Sequence, residues 1–457
     1  MRDSKEKLIF ESYSVPKAVA ALVFPTVLSQ IVNIIYNFAD TWFVGRTNND
    51  AMVAAIAVSM PLFIIIAAIA NLFGIGGAGA ISRALGSQNE KRARGIFAFS
   101  LWGGVVVSLL YSVIIFVFSD KLITLIGGDE ESFAYVKSYL FWTVVIGSLP
   151  TMLNALFAHL VRSVGAAKYA SVGMALGAAL NIALDPLFMF VLLPKGYEVT
   201  GAAVATLISN IIACVYFFIY LIKNRSNPVF TVKIKDVTFS DGIPYDVLSV
   251  GFPAALSTTL AMVSNITANK LMVAYGNPAV AGLGVAKKIN TLAFNINLGM
   301  TQGVLPLIGY NFAAGNIKRM KHTAYFTAAC TFTFSALCVA IYLLFDRQLI
   351  QFFIEEEQTV RFGMDFLSVI SFAVPLCAIT FSVNTVFQAT GKRLFSFVLS
   401  ILRKGVLDIP GMYLLASQIG AKGIVSATPI AEAISVVVAL TMLFSFLRKL
   451  MKEKKTE

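Results

Sequence analysis

Four acidic residues stand inside stretches that are otherwise apolar: Asp40, Asp185, Asp408 and Glu432. A carboxylate in such surroundings is costly, and it is retained chiefly where it holds an ion or passes a proton. Asp40 ends a polar stripe, because Gln30, Asn33, Asn37 and Asp40 fall at i, i+3, i+7 and i+10 on one helix face. Tyr36 lies beside it. Asn181 and Asp185 are four residues apart and share a face of another helix, and Thr206 projects from the next apolar stretch. Carboxylates, an amide and a hydroxyl make a hard, oxygen-rich set that suits a proton or a sodium ion and no soft metal. The same groups also suit a buried polar cluster that fixes helix packing, and Asp40, near the end of its stretch, also has water within reach.

The second pair of acids reads differently. Arg403 and Lys404 lie about one helical turn before Asp408, which favours an internal ion pair there. Glu432 is expected to partner a lysine such as Lys287 or Lys288. A substrate lining is expected from Gln30, Asn33, Tyr36 and Asn37 together with two further helices. One carries Thr258, Met262, Asn265 and Asn269, the other Asn290, Phe294, Asn297 and Thr301. Amides mixed with Phe and Met suit large, partly apolar ligands, and a cationic ligand gains further from aromatic faces.

These residues must be held by elements that cross a bilayer. The chain has 457 residues, 58% hydrophobic and only 13% charged, about half the charge of a soluble domain. A span needs about 20 apolar residues. Eight stretches without Asp, Glu, Lys or Arg satisfy this: 51–82, 95–119, 138–161, 199–222, 247–269, 289–317, 323–345 and 366–391. Four more hold a few charges: 18–45, 169–194, 394–421 and 423–447. Twelve spans make an all-α membrane protein. The first run is too long for a secretory leader, so none is expected.

Twelve spans put both termini on one side of the membrane. Loops on that side, with the termini, carry 24 Lys and Arg, against seven on the other side and five within spans. The bias predicts cytoplasmic termini in a multi-pass protein of the cell membrane. It also accounts for the net charge of +12 as topology, with no nucleic-acid partner. Membrane lipid is the expected surround.

The polar segment 223–246 divides the chain into six spans and six. Pro25 and Asn37 recur as Pro253 and Asn265, and 48–56 resembles 276–284 at an offset of 228. Similar matches join 83–95 to 311–323, 162–168 to 388–393, 184–186 to 408–410 and 201–209 to 423–431. The expected organisation is a bundle over 1–222, a cytoplasmic linker, a second bundle over 247–447 and a basic tail over 448–457. Two six-helix copies entering the membrane in the same direction are related by a pseudo-twofold axis along its normal, with a substrate path between them.

Several chemistries are absent. No GxxxxGK[ST] loop is present, so ATP does not drive this chain, and no HExxH, GxSxG or Ser/His/Asp set supports an enzyme. The glycine-rich GIGGAGA (74–80) lacks the lysine of a phosphate loop and fits close helix packing better. No cofactor is expected beyond a coupling proton or sodium ion.

Several segments together resemble the multidrug and toxic compound extrusion (MATE) family. They are Pro25 with NFADTWFVGR (37–46), AISRALGSQNEKRAR (80–94), NIALDP (181–186), GAAVAT (201–206), PLIGYNFAAGN (306–316) and QATGKR (388–393). The resemblance covers nearly the whole chain and is to the bacterial multidrug exporters of that family. It implies two six-helix bundles in an inverted V and export of organic cations and amphipathic drugs in exchange for cations. It further implies a cation site at Asp40, Asn181, Asp185 and Thr206, with bending of the first helix at Pro25. Another branch of the family carries acids on helices seven and ten, and 247–269 and 366–391 have none. The reading is therefore an alternating-access antiporter. The rivals are a lipid-linked oligosaccharide flippase of the same superfamily, which would want a cationic cavity from Lys287, Lys288, Arg403 and Lys404, an intramembrane enzyme, and a channel.

Overall fold

Twelve long helices follow one another in the structure, a computed structural model that describes residues 5–47 and 49–456. Arg2 and Asn48, and the side chains of Lys5, Lys454 and Lys455, lie outside the described residues. The first half comprises α1 (Val15–Gly45), α2 (Asp50–Gly86), α3 (Glu90–Leu125), α4 in two pieces (Phe133–Ile146 and Ser148–Ser163), α5 (Ala167–Leu192) and α6 (Glu198–Lys223). The second half comprises α7 (Ile243–Tyr275), α8 (Asn277–Ala313), α9 (Ile317–Leu344), α10 (Glu357–Thr390), α11 (Arg393–Ser400 continuing through Ile409–Ile419) and α12 (Ala421–Thr456). A short helix, Lys5–Glu11, precedes them.

Among the described residues nine helices are long and apolar enough to cross a bilayer, and α4, bent by 49° at its break, makes a tenth. The two that fall short of that apolarity are α8 and α11. They carry Lys287, Lys288, Asn290, Asn295 and Asn297, and Arg403, Lys404 and Asp408. Most of these polar groups turn to neighbouring helices and cavities rather than to lipid, which is how a span of low apolarity is tolerated. The lipid face shows in the large side chains left outside: Phe24, Val117, Val191 and Phe444 are all more than 60% exposed.

The helix ends follow local chemistry. Asn49, Asn89 and Asn316 cap α2, α3 and α9, each accepting from the backbone N–H three residues on, at 3.2, 2.9 and 3.2 Å. The residues before the second and third caps, Gln88 and Gly315, are both left-handed, at φ 57° and 71°. The same turn is thus built once in each half. The sequence satisfies it with glycine in one copy and a tolerated glutamine in the other.

The halves meet where α2 runs along α7 and α8, and α1 along α8. Gly76 and Gly251 form a reciprocal contact: a Cβ on the first would overlap the Val247 carbonyl, and one on the second the Leu72 carbonyl. This is the close packing expected of the 74–80 run. Two turns nearer the loops, Arg83 of α2 donates to the carbonyls of Gln388 and Ala389 at the end of α10, at 3.3 and 3.1 Å.

Two further ties close this loop end. Arg92 pairs with Asp246 at 2.5 Å and Arg94 with Asp236 at 2.8 Å, fastening α3 to the linker and to the start of α7. The N-terminal helix reaches across to the other half. Phe10 is fully buried and stacks on Tyr310 at 4.9 Å, while Arg319 donates to the carbonyls of Phe10 and Ile9 at 2.9 and 3.1 Å. Tyr310 also donates to Glu11.

Candidate functional site

A cavity of about 220 Å³ opens within the first half. Helix α1 gives it Asn33, Tyr36, Asn37 and Asp40, α5 gives Asn181, and α6 gives Thr206. The spacing explains the α1 face: residues at i, i+3, i+4 and i+7 fall on one side of a helix. Pro25 lies in the lower part of α1, which continues unbroken from Val15 to Gly45.

Asp185 is fully buried behind Asn181. With the Asn181 amide nitrogen donating to Asp185 Oδ2 at 2.8 Å, its oxygen accepts from the Thr206 hydroxyl at 3.1 Å and the Thr206 N–H at 3.0 Å. One amide thus links the inner carboxylate to the hydroxyl on α6. The remaining lining is apolar, amide or hydroxyl, and among the described residues no Lys or Arg faces this cavity. Carboxylates removed from bulk water without a basic partner need a proton or a metal cation to offset their charge. The donor set is oxygen-only, as a proton or sodium requires.

Several lining groups have no counterpart in the sequence analysis, Asn154 and Tyr139 among them. Asn154, on the second piece of α4, donates to Asn210 Oδ1 at 3.0 Å, and Tyr139 comes from the first piece. Asn154 was visible as a lone amide in an apolar run. Its direction was not, because α4 passes through π-helical turns at Phe141–Ile146 and breaks at Gly147.

The substrate face expected from the other residues is divided. Thr258, Met262, Asn265, Phe294 and Thr301 line a cavity of about 330 Å³ with Ile64 and Asn71 of α2, between the halves. Asn290 lines a separate cavity of about 300 Å³ inside the second half, which Asn265 and Phe294 also border. Gln30 leaves the α1 stripe and packs against Gly299 of α8. Asn269 is exposed, with Lys287 Nζ at 3.5 Å from its Oδ1. Asn297 requires correction: it is fully buried and donates to Ser335 of α9 at 2.7 Å. It sits at the edge of its stripe, where α9 covers it and supplies a hydroxyl.

The acids of the second half are ion-paired. Asp408 accepts from Lys404 at 2.7 Å, Ser264 at 2.7 Å and Thr428 at 2.9 Å. Glu432 pairs with Arg403 at 3.3 Å and accepts from Thr380 at 3.2 Å. The expected partnership of Glu432 with Lys287 or Lys288 is thus replaced by one with Arg403, whose guanidinium also lies over the Phe381 ring at 4.6 Å. Lys288 instead lies near the Phe38 ring, at 5.7 Å. Neighbouring residues on a helix point about 100° apart. Arg403 and Lys404 therefore serve separate acids, from a stretch of α11 (Ile401–Asp408) that is π-helical.

Comparison with known proteins adds to this geometry. The profile of the MatE family matches residues 25–187 and 253–414, two intervals that begin 228 residues apart, the offset of the internal repeat. The multidrug export protein MepA of Staphylococcus haemolyticus (strain JCSC1435) is 29% identical over 455 residues, covering 99% of this chain and 98% of that protein. MepA of Staphylococcus aureus (strain NCTC 8325) is 28% identical over 438 residues, 95% of each. Among solved structures, an outward-facing multidrug resistance MATE family transporter of the MOP superfamily superimposes with a TM-score of 0.89. It is 24% identical and covers 99% of this chain and 100% of that one. A MATE in complex with MaL6 gives 0.91, also at 24% identity, covering 98% and 100%. At that identity the likeness speaks for the fold.

Proposed function

We propose that this chain, which belongs to the MatE family, exports amphipathic, often cationic organic compounds across the cell membrane in exchange for protons or sodium ions. The staphylococcal relatives are multidrug export proteins, and that activity carries over here as part of the proposal. The coupling ion is cargo, and no cofactor takes part. The observation that carries the coupling is the setting of Asp40, which lines the cavity, and of the fully buried Asp185 behind it, which Asn181 links to Thr206, with no basic neighbour in the cavity among the described residues. Both termini and the basic loops face the cytoplasm in this reading, which makes the end sealed by Gly76, Gly251 and Arg83 the inner one.

In the proposed cycle the ion and the drug favour different states, since a ligand with equal affinity for both shifts nothing. Loading Asp40 and Asp185 from outside removes their charge and lets α1 repack around Pro25, which expels drug. Drug bound from inside releases the ion. The test is drug efflux from liposomes carrying wild type, Asp40→Asn or Asp185→Asn, with pH and sodium gradients imposed separately. The reading expects one gradient to drive the wild type and both variants to lose that response. Normal pumping by both variants would make the cluster structural.

A further inference from the structure

We propose that the groove between α9, α10 and α12 is a binding site for one phospholipid with an anionic head group, its phosphate received by Lys321 and one acyl chain laid along the groove. The site is separate from the cavities described above and independent of the exported compound and the coupling ion.

Lys321, Ala324 and Ala328 fall at i, i+3 and i+7 and share one face of α9. The two alanines are short, and the space they leave is bounded by Val383 and Val386 of α10 and by leucines of α12. Helix α9 runs away from the loop end while α10 and α12 run toward it, so Lys321, Val386 and Leu447 mark the same end of the groove. From Lys321 to Ala328 it extends by about 10 Å, at 1.5 Å per residue. Its volume, about 90 Å³, is less than half that of the cavity around Asp40, which suits a single chain and not a ring system. The lining is apolar except for Lys321, Tyr325 and Ser382, and the Ser382 hydroxyl is spent on the Ala378 carbonyl at 2.7 Å.

Charge identifies the occupant. Lys321 is half-buried at the loop end of the groove, and among the described residues no carboxylate lines it. The acids Asp236 and Asp246 at this end are taken by Arg94 and Arg92. Tyr325, one turn further along α9 and 55% exposed, sets a phenol at the level where aromatic side chains meet lipid head groups. Lipid tails are as apolar as these side chains, so the groove supplies fit and not a hydrophobic drive. Selection therefore falls to the head group. A glycerol head leaves the phosphate charge whole, whereas a choline head brings its own cation to the place that Lys321 already occupies. A lipid bound here also touches both helices to which the first half is fastened. Val386 lies two residues before Gln388, whose carbonyl accepts from Arg83, and Lys321 lies two residues after Arg319, which holds the N-terminal helix.

The test is native mass spectrometry of the full-length protein in detergent, titrated with phosphatidylglycerol or with phosphatidylcholine of the same acyl chains. The constant for the first bound lipid is read. Wild type is expected to prefer phosphatidylglycerol by about fivefold, the worth of one basic side chain at a membrane surface. Lys321→Gln should abolish that preference and Lys321→Arg should keep it. Lys318→Gln, exposed at the same end but outside the groove, should leave it unchanged. Ala328→Trp fills the groove and should weaken the first constant for both lipids. Equal wild-type binding of the two lipids overturns the proposal, as does a preference that survives Lys321→Gln. An Ala328→Trp protein that binds both as wild type does would remove the chain from the groove and overturn it too. Free glycerol phosphate, the head group without chains, should not displace the first lipid; displacement would mean a surface phosphate site in place of a lipid site.

Discussion

In the first half, Asp40 and Asp185 sit among amides, hydroxyls and tyrosines with no basic side chain facing their cavity, whereas in the second half Asp408 and Glu432 each hold a basic residue of α11, at 2.7 and 3.3 Å. The two halves repeat one another in sequence, yet they treat buried acid in opposite ways. A carboxylate already neutralised by a neighbour has little left to offer an incoming ion. One that shares its pocket with neutral oxygens stays available.

The largest test of this contrast is on transport. Asp40→Asn or Asp185→Asn should bring gradient-driven efflux down to the level of protein-free liposomes, without lowering the thermal unfolding midpoint. Stability should respond in the other half. Arg403→Met strands Glu432 and is expected to cost about 3–5 kcal/mol, read as a fall in unfolding midpoint in detergent. Adding Glu432→Leu should restore most of that loss. If the single change were silent, the pair would not be what distinguishes the halves.

Two smaller changes ask whether the contact between the halves depends on the same charges. Arg83→Gln removes the donor to the α10 carbonyls and should shift the balance between open and closed loop ends by about 1.5–3 kcal/mol. Spin labels at Lys91 and Lys318 would read this as a longer distance population. The smallest effect concerns Asp236, held below the usual carboxylate range by hydrogen bonds from Thr231 and from Arg94. Its lowered value means that the linker tie is fully present above the ordinary carboxylate pKa, about 3.9, and is lost only as pH falls through the lower one. Hydrogen-exchange protection over 231–237, taken relative to the intrinsic rate at each pH, should therefore stay unchanged from neutral pH to about 4, and Asp236→Asn should lower it throughout that range.

Much of the first cavity was legible, because residues spaced for one helix face stay on one face when the helix is regular. Asn33, Tyr36, Asn37 and Asp40 are such a set on α1. Where a helix departs from α geometry the reading fails. The π-helical turns of α4 and α11 re-aim Asn154, Arg403 and Lys404, and nothing in local periodicity announces an extra residue in a turn. Asn297 shows a different limit. A polar stripe names a face but not the neighbour, and here a hydroxyl of α9 claims the amide. The N-terminal helix lay beyond sequence reasoning altogether, because its partners are about 300 positions away.

That last separation has a consequence in time. Phe10 leaves the ribosome among the first residues, and Tyr310, on which it stacks, is made long afterwards. At about 5–20 residues per second the wait is roughly 15–60 s. Throughout it the aromatic ring and the open carbonyls of Ile9 and Phe10 have no native partner. The clasp therefore closes only on a nascent chain that has already threaded α8 and begun α9. A product cut short before Tyr310 lacks both the ring and the guanidinium that hold the N-terminal helix, so that helix has to wait for the second half to be made.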